Sequence, residues 1–184
     1  MARQDGVRRY RQPAAELFDL SLLGGLLIMA LGVLVPLKLE HVFDLRVSFG
    51  EELPLGPTSL AHDRVFHLVT GGTVSGPRLS GILVPNSGSD APCRSKDRAV
   101  IEGEWLIRAA DGTVIRMVNS GYGPGAPMSA PWRADVPQYA GASLYLSPKF
   151  EAPDGPHAWL NRTVFAGKGD RRRTDASIRI FAVM

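Results

Sequence analysis

Cysteine is almost absent from this sequence. The single residue, Cys93, excludes an intrachain disulfide and a metal cage built from several thiolates. The four histidines show neither an H-x-H nor an H-E-x-x-H spacing, so the sequence predicts no metal site. Charge of one sign is equally scarce, because 21 Lys and Arg against 18 Asp and Glu leave a net charge of +3. That excess is too small to indicate a nucleic-acid partner.

Amphipathic helices are also missing beyond residue 37, whereas turn residues are plentiful. The 184 residues suffice for one domain with a core but not for two ordinary ones, and 20 glycines with 14 prolines favour many turns. The glycine-rich stretch 121–125 superficially resembles a phosphate loop. Prolines at 124, 127 and 131 forbid the helix that must follow such a loop, so a nucleotide site is excluded.

The first 37 residues differ in composition from the rest of the chain. Arginines at positions 3, 8, 9 and 11 precede an uncharged, leucine-rich run over residues 20–37, which is at the lower edge of a membrane-spanning length. We therefore predict a hydrophobic N-terminal helix outside the folded domain and divide the chain into segment 1–37 and domain 38–184. The segment is an anchor or export signal, a helix packed on the domain or on a neighbouring subunit, or the result of a misassigned start.

Localisation follows from which of these alternatives holds. If residues 1–37 are translated, the protein is membrane-anchored or exported, with residues 20–37 contacting the membrane. If translation starts near Met29, inside the run, the protein is cytoplasmic.

Residues 38–49 alternate between apolar and polar side chains, which predicts a long amphipathic strand ending before the Pro- and Gly-containing stretch 53–57. A hairpin is predicted between residues 101–108 and 113–119, because Asp111-Gly112 suits a turn with positive φ. Shorter strands are predicted at residues 64–69, 72–74, 79–84, 143–147, 161–166 and 177–183.

Eight or nine strands in so short a chain favour an all-β fold, a closed antiparallel barrel of about eight strands. A β-sandwich is the structural alternative. Such a barrel is either filled by side chains or has room for one small ligand. Strand parity separates two faces of the predicted hairpin, an apolar one with Ile101 and Trp105 and a polar one with Glu102 and Glu104, but does not say which face lines the interior.

Three carboxylates are candidate catalytic groups. Glu102 and Glu104 lie two residues apart on one side of a strand, where a shared desolvated environment would raise one pKa toward general-acid use. Asp90 lies on a Gly- and Ser-rich loop that could rim the barrel, where it would act as a base or contact a ligand. The alternatives are a solvated, salt-bridged face for the glutamates and turn capping for Asp90.

Other polar and aromatic side chains are candidate ligand contacts. His67 alternates with two valines and is predicted in the core or in a cavity, and Tyr122 and Tyr145 could donate phenolic hydrogen bonds. Asn161 and Arg162 follow Trp159 and combine an amide with a guanidinium, a pair suited to a carbonyl or carboxylate. The basic run 171–173 is predicted to be a solvated turn.

Several stretches of the chain together resemble the bacterial and fungal family known as domain of unknown function 3237. They include Lys38-Leu39-Glu40-His41-Val42-Phe43-Asp44-Leu45, Thr70-Gly71-Gly72-Thr73, Gly76-Pro77-Arg78-Leu79-Ser80-Gly81, Pro148-Lys149-Phe150-Glu151 and Ala158-Trp159-Leu160-Asn161-Arg162-Thr163. The resemblance implies a small barrel similar to that of allene oxide cyclase, assembled as a homo-oligomer. It also implies a cavity that binds an organic molecule.

The chain departs from the pattern of this family at three places. Gly88-Ser89-Asp90-Ala91 keeps the aspartate of a Gly-x-Asp-Trp motif but lacks the tryptophan, the hairpin carries Glu102 and Glu104, and Arg116 replaces a frequent tyrosine. Arg116 is therefore a further candidate ligand contact. These departures favour a different ligand or a lost activity.

Two functions remain open from the sequence. The first is a cofactor-free isomerase, cyclase or hydrolase that binds a small hydrophobic or aromatic molecule inside the barrel. The second is a non-catalytic binding or structural barrel, tethered to a membrane by its first helix. Convergent ionisable groups inside the barrel favour the first, and an interior filled by aliphatic side chains favours the second.

Overall fold

The computed structural model of the protein describes residues 36–56, 59, 64–94, 98–124 and 144–184. The predicted N-terminal helix lies outside the described residues, and the predicted boundary between residues 37 and 38 stays a prediction. Within the described ranges, no helix has the length and apolar character needed to cross a bilayer.

The described residues form short and long strands and one 3-10 helix, Ala158–Arg162. The strands are, in chain order, β1 (Leu39–Gly56), β2 (Arg64–Ser75), β3 (Gly81–Leu83), β4 (Ser89–Asp90), β5 (Cys93–Arg94), β6 (Arg98–Ala109), β7 (Val114–Pro124), β8 (Leu144–Leu146), β9 (Lys149–Glu151), β10 (Phe165–Arg171) and β11 (Asp175–Val183).

The strand pairings among the described residues are all antiparallel and form a ring. They join β1 to β2, β6 to β7, β7 to β8, β8 to β10, β10 to β11 and β11 back to β1. The short strands β3, β4 and β5 share the position between β2 and β6. The ring has eight strand positions and the sheet is barrel-like, which confirms the predicted all-β antiparallel architecture. Strand β9 pairs with β7 beside β8.

The two ends of the barrel chain meet on neighbouring strands. Leu39 pairs with Val183, the backbone N–H of Lys38 donates to the carbonyl of Met184 at 3.2 Å, and the N–H of Met184 donates back at 2.9 Å. Backbone hydrogen bonding between the β1 and β11 segments therefore continues as far as Lys38 and Met184.

The hairpin of β6 and β7 forms as the turn sequence predicts. Gly112 has φ of +90°, a conformation that favours glycine, and the N–H of Thr113 donates to Oδ1 of Asp111 at 3.0 Å. Ile107 pairs with Ile115, and both side chains are buried. The turn chemistry thus sets the register of this hairpin.

Two predicted strand boundaries are wrong, because β1 and β2 both continue past the residues at which the sequence predicts an end. β1 was expected to end near residue 49 but continues to Gly56, since register shifts between β1 and β2 accommodate Pro54. The strands expected at 64–69 and 72–74 are one strand. Gly72 permits this, because a Cβ atom there would collide with the carbonyl oxygen of Arg46 on β1.

The start of the strand predicted at residues 161–166 is also wrong, and only residues 165 and 166 lie in a strand. Residues Ala158–Arg162 form the 3-10 helix, and β10 begins only at Phe165. The side-chain amide of Asn161 holds the backbone of Ala152 through two hydrogen bonds, each of 2.8 Å, and Thr163 Oγ1 donates to the carbonyl of Trp159. These local bonds favour the turn over an extended strand.

Apolar side chains fill most of the interior of the ring. On β6 the apolar face, with Ile101, Trp105 and Ile107, points inward, and Glu102 and Glu104 point outward. This settles the parity question left open by the sequence. The largest buried apolar side chains in the described residues are Trp105, Phe43, Leu45, Leu83, Ile107, Ile115, Met117, Leu144, Leu160 and Ile180.

Candidate functional site

Four polar side chains are buried in this otherwise apolar interior: His67, Asp90, Asn119 and Arg171. We call these four residues the polar cluster. They come from four different strands, β2, β4, β7 and β10. Burying polar groups costs free energy unless they are paired, so a concentration of them at one place in a small core requires an explanation.

Strand register places three members of the polar cluster in one row. His67 pairs with Asp90, Asp90 pairs with Gly103, and Gly103 pairs with Asn119. Side chains directly opposite each other on one face of a sheet are close neighbours. The row therefore runs across the inner surface from β2 to β7, and its only residue without a side chain is Gly103.

Arg171 completes the polar cluster from the last position of β10. Its Nη1 atom lies 2.6 Å from Oδ2 of Asp90, and the two side chains are only 2% and 3% exposed. The guanidinium carbon lies 4.0 Å from the centre of the Phe49 ring, and His67 packs against the same ring with centroids 5.8 Å apart. The Phe49 ring thus packs against both the cationic side chain of Arg171 and the titratable side chain of His67.

Burial dominates the electrostatics of Asp90. It raises the pKa of the Asp90 carboxyl above its ordinary value, and the positive charge of Arg171 acts in the opposite direction with a smaller effect. A carboxyl group with a raised pKa is suited to exchanging protons near neutral pH.

Gly103 makes room for two neighbours of the polar cluster. A Cβ atom at this position would lie 2.5 Å from Cζ3 of Trp105 and 3.1 Å from Oδ1 of Asp90. Both side chains therefore occupy the space over Gly103. A larger residue would displace one of them.

Two buried polar atoms of Trp105 and Asn119, the residues that flank Gly103 on β6 and β7, have no hydrogen-bond partner in the part of the chain that the structure describes. They are Nε1 of Trp105, a donor, and Oδ1 of Asn119, an acceptor. Both side chains are buried, each with only 1% of its surface exposed. Buried donors and acceptors are usually satisfied by protein groups or by ordered water, so two such atoms are an unusual feature of this core.

A family model described as "Protein of unknown function (DUF3237)" matches residues 37–183, which is most of the chain. The chain belongs to this family. The resemblance inferred from sequence motifs is therefore confirmed.

Solved structures of similar proteins share the barrel-like fold. A "beta-barrel like protein" from Acinetobacter baumannii AYE is 28% identical, with a TM-score of 0.70 over 81% of this chain and 97% of that one. The UPF0311 protein RPA1785 from Rhodopseudomonas palustris is 22% identical over 80% of this chain and 97% of its own length, and its structure gives a TM-score of 0.72. An enzyme from Penicillium herquei is 20% identical, with a TM-score of 0.57 over 79% of this chain and 96% of its own.

In this member of the DUF3237 family, two residues predicted from sequence lie in the polar cluster. They are Asp90, predicted as a catalytic group, and His67, predicted as a ligand contact. The other predicted catalytic residues, Glu102 and Glu104, lie on the outer surface. Glu102 is bonded to Arg64, and Glu104 is bonded to the predicted ligand contact Arg116 at 2.7 Å.

The predicted tyrosine contacts are also on the outer surface. Tyr122 and Tyr145 pair across β7 and β8 and are 57% and 62% exposed. Arg98 and Lys168 lie 5.7 and 5.9 Å from the two ring centres. The tyrosines form an outer aromatic pair and do not contribute hydroxyl groups to the polar cluster.

The predicted contacts Trp159, Asn161 and Arg162 lie in the 3-10 helix, near the opposite end of β10 from Arg171. Trp159 packs against Phe165, with ring centroids 5.7 Å apart, and Arg78 lies 3.9 Å over its ring. Asn161 is bonded to the backbone of Ala152, and Arg162 is exposed. These residues hold a surface segment together and do not join the polar cluster.

Asn119 and Arg171 are members of the polar cluster that the sequence does not predict. Arg171 was expected in a solvated turn with its two basic neighbours, but it is the buried end of β10. The alternation of Phe165, Gly167, Gly169 and Arg171 was the signal, because it places the arginine on the buried face. Among the described residues, no group of three or more His, Cys, Asp or Glu side chains could hold a metal ion.

Proposed function

We propose that this protein binds a small hydrophobic or aromatic organic molecule at the polar cluster and acts on it as a cofactor-free isomerase, cyclase or hydrolase. Asp90 is the proton-transferring group in this proposal, and Arg171 stabilises negative charge on the bound molecule. Phe49 and Trp105 provide apolar surface. Glu102 and Glu104 have no role in it, because they lie outside the barrel.

The observation that carries the proposal is the buried Asp90–Arg171 pair beside two orphaned polar atoms. A buried ion pair is seldom worth more to stability than the apolar side chains that could replace it. Two unpaired polar atoms at the same place add a further cost of about 1–3 kcal/mol each. Features that cost stability at one place in a well-packed core are typical of functional sites.

The chemistry of Asp90 supports a proton-transfer role. Burial raises its pKa, so Asp90 holds a proton at higher pH than an exposed aspartate does. Nη1 of Arg171 lies 2.6 Å from Oδ2 of Asp90, and the positive guanidinium is suited to stabilising an enolate or an alkoxide formed when Asp90 removes a proton.

The fold of the enzyme from Penicillium herquei supports catalysis by this architecture. The two chains are only 20% identical, so the likeness concerns the barrel-like fold and assigns no reaction or residue to this protein.

One observation favours a second function, a non-catalytic binding or structural barrel. Outside the polar cluster the interior is filled by aliphatic and aromatic side chains, and clefts between described residues open on the outer surface, such as one of about 370 Å³ along Glu102, Glu104 and Ser120. In that case the Asp90–Arg171 pair has a structural role and links β4 to β10 across the interior of the barrel.

The two functions are separated by looking for a bound molecule. The full chain is purified under native conditions, denatured, and the released small molecules are identified by mass spectrometry. The test variant combines Asp90→Leu with Arg171→Met, which replaces the buried pair by apolar side chains and is expected to stay folded. Asp170→Asn, next to Arg171 but exposed, is the matched control.

We expect wild type and Asp170→Asn to release the same compound and the double variant to release none. Circular dichroism checks that all three are folded. Release of the compound by the folded double variant, or no compound from wild type together with no thermal stabilisation by any member of an aromatic compound library, would overturn the proposal.

A further inference from the structure

One end of the barrel wall carries an exposed apolar surface, which we call the terminal patch. It consists of Leu37, Leu39, Val164, Val183 and Met184. Leu37, Leu39, Val164 and Met184 are 77%, 58%, 68% and 64% exposed, and Val183 is half-buried. Single exposed apolar side chains are ordinary, but several that gather at one place mark a surface that contacts another molecule.

Strand pairing places these side chains next to one another. Leu39 pairs with Val183, and the backbone N–H of Val183 donates to the carbonyl of Val164 at 2.9 Å. Ala182, the preceding residue of β11, is fully buried, so the row of Leu39, Val183 and Val164 lies on the outer face of the sheet. Met184 follows Val183 directly and extends the row to the end of the chain.

A cavity with cationic side chains lies beside the terminal patch. Phe181, which is two residues from Val183 on the same face of β11, forms one wall of this cavity of about 460 Å³. Guanidinium and ammonium groups are the donors that phosphate oxygens prefer in proteins. The charged side chains that line the cavity are Arg46, Lys168, Arg179, Asp44 and Asp170.

The carboxylates do not neutralise all of these cations. Oδ1 of Asp44 lies 3.3 Å from Nε of Arg179. Among the described residues, neither Arg46 nor Lys168 forms an ion pair with a carboxylate. The cavity therefore presents uncompensated positive charge beside an apolar surface, the combination that an anionic phospholipid bilayer attracts.

The spacing of the two features suits such a bilayer. Arg179 lies four residues from Val183 on β11, about 13 Å at the usual rise of a strand. Apolar side chains of surface-bound proteins enter the acyl boundary by about 5–10 Å, which leaves the cations near the lipid phosphates. Lys38 and Arg162, which flank the terminal patch in sequence, are also exposed. In the sequence, the uncharged, leucine-rich run over residues 20–37 ends at the first residue of the patch.

We propose that the terminal patch docks on an anionic phospholipid bilayer. The apolar side chains enter the acyl boundary, and Arg46, Lys168 and Arg179 bind lipid phosphates from the neighbouring cavity. A second copy of the chain fits this face less well, because a two-fold contact between patches would bring the two cationic cavities together. The inference does not depend on the function proposed for the polar cluster.

A fluorophore placed in the terminal patch of the full chain tests the contact directly. Cys93→Ser removes the native thiol, Val164→Cys places a thiol in the patch, and Leu55→Cys is the control. Leu55 is 57% exposed and lies near the other end of β1. Each variant is labelled with the polarity-sensitive dye NBD and mixed with vesicles of equal parts phosphatidylcholine and phosphatidylglycerol.

We expect the label at position 164 to shift to the blue on these vesicles and to be quenched by nitroxide-bearing lipids. The label at position 55 is expected to show neither change. Because both variants contain residues 1–37, a difference between the two labels reports which part of the barrel meets the bilayer.

Charge variants test the role of the cavity. Arg46→Gln combined with Lys168→Gln, in the chain labelled at position 164, is expected to lower the affinity for the mixed vesicles by about fivefold for each cation removed. Arg108→Gln combined with Lys149→Gln removes the same charge from exposed positions on β6 and β9 and is the matched control. Its affinity should stay close to that of the parent chain.

Three results would overturn the docking. The first is a label at position 164 that does not respond to vesicles or responds as the one at position 55 does. The second is a blue shift at position 164 that grows with protein concentration and needs no vesicles, which would assign the patch to a second copy. The third is equal affinity of the two charge variants, or binding to pure phosphatidylcholine as tight as to the mixed vesicles.

Discussion

The inner and outer surfaces of the same sheet each carry a carboxylate paired with an arginine, and the two pairs behave in opposite ways. Inside, Asp90 and Arg171 are excluded from water, and burial raises the pKa of Asp90. Outside, Glu104 accepts hydrogen bonds from the exposed Arg116, which lower the pKa of Glu104. The same kind of carboxylate–arginine pair is therefore accompanied by a raised carboxyl pKa inside the barrel and by a lowered one outside it.

The comparison shows that contact distance alone does not reveal function. The outer pair is as close as the inner one, at 2.7 against 2.6 Å, yet an exposed pair is screened by water and its loss is tolerated. The inner pair cannot lose one partner without leaving a buried, uncompensated charge. Burial is what makes Asp90 and Arg171 candidates for chemistry.

The largest expected effect comes from breaking the inner pair. Arg171→Met leaves Asp90 buried without its partner, and we expect a loss of about 3–5 kcal/mol in the free energy of unfolding, measured by urea denaturation. Adding Asp90→Leu should restore most of that loss. An unfolding free energy within the error of wild type for Arg171→Met alone would mean that the pair is not buried in solution.

A smaller effect is expected from filling the space over Gly103. In Gly103→Ala the new methyl group meets the Trp105 ring and Oδ1 of Asp90, so we expect a loss of about 1–3 kcal/mol by urea denaturation. Ser120→Ala, on the exposed side of β7, is the control and should be neutral. A neutral Gly103→Ala would show that Trp105 can move away from the polar cluster.

The pH dependence of stability should differ in sign between the two surfaces. Because the folded-state pKa of Asp90 is raised, its contribution is fully present below the pKa of the unfolded chain and is lost as pH rises through the folded-state pKa. Wild type should therefore lose stability relative to Asp90→Asn as pH rises. Thermal melting across the pH range measures this, and a constant difference would contradict it.

The smallest effect is expected from breaking the outer pair. Glu104→Gln should leave the urea midpoint at neutral pH within the scatter of repeated measurements, because both partners are exposed. The lowered pKa of Glu104 means that any contribution is present above the pKa of the unfolded chain and is lost as pH falls. A marked loss at neutral pH would place this pair in an interface between subunits.

The sequence predicts the parts of the fold that depend on local chemistry. Asp111-Gly112 specifies the hairpin turn, and alternation identifies the strands that flank it. It does not predict that β2 is one continuous strand or that residues 158–162 form a 3-10 helix, since these depend on a close approach at Gly72 and on the bond from Asn161 to Ala152. Long-range contacts of this kind leave no periodic signal.

The candidate site could be predicted only in part for the same reason. Asp90 and His67 are found from their local setting, but Arg171 reaches them only when the sheet closes into a ring. Strand parity also separates Glu102 and Glu104 from Trp105 without saying which set faces inward. The choice of the glutamates as catalytic candidates reflects that ambiguity, which the burial of Ile101, Trp105 and Ile107 resolves.

The reciprocal bonds between Lys38 and Met184 have a consequence for how the chain can be rewired. In a variant that lacks residues 1–37, a short linker could join Met184 to Lys38, and new termini could be placed at the solvent-exposed Asp111-Gly112 turn without removing a strand pairing. Such a circular permutant would keep Asp90 and Arg171 facing each other while reversing which of them is synthesised first.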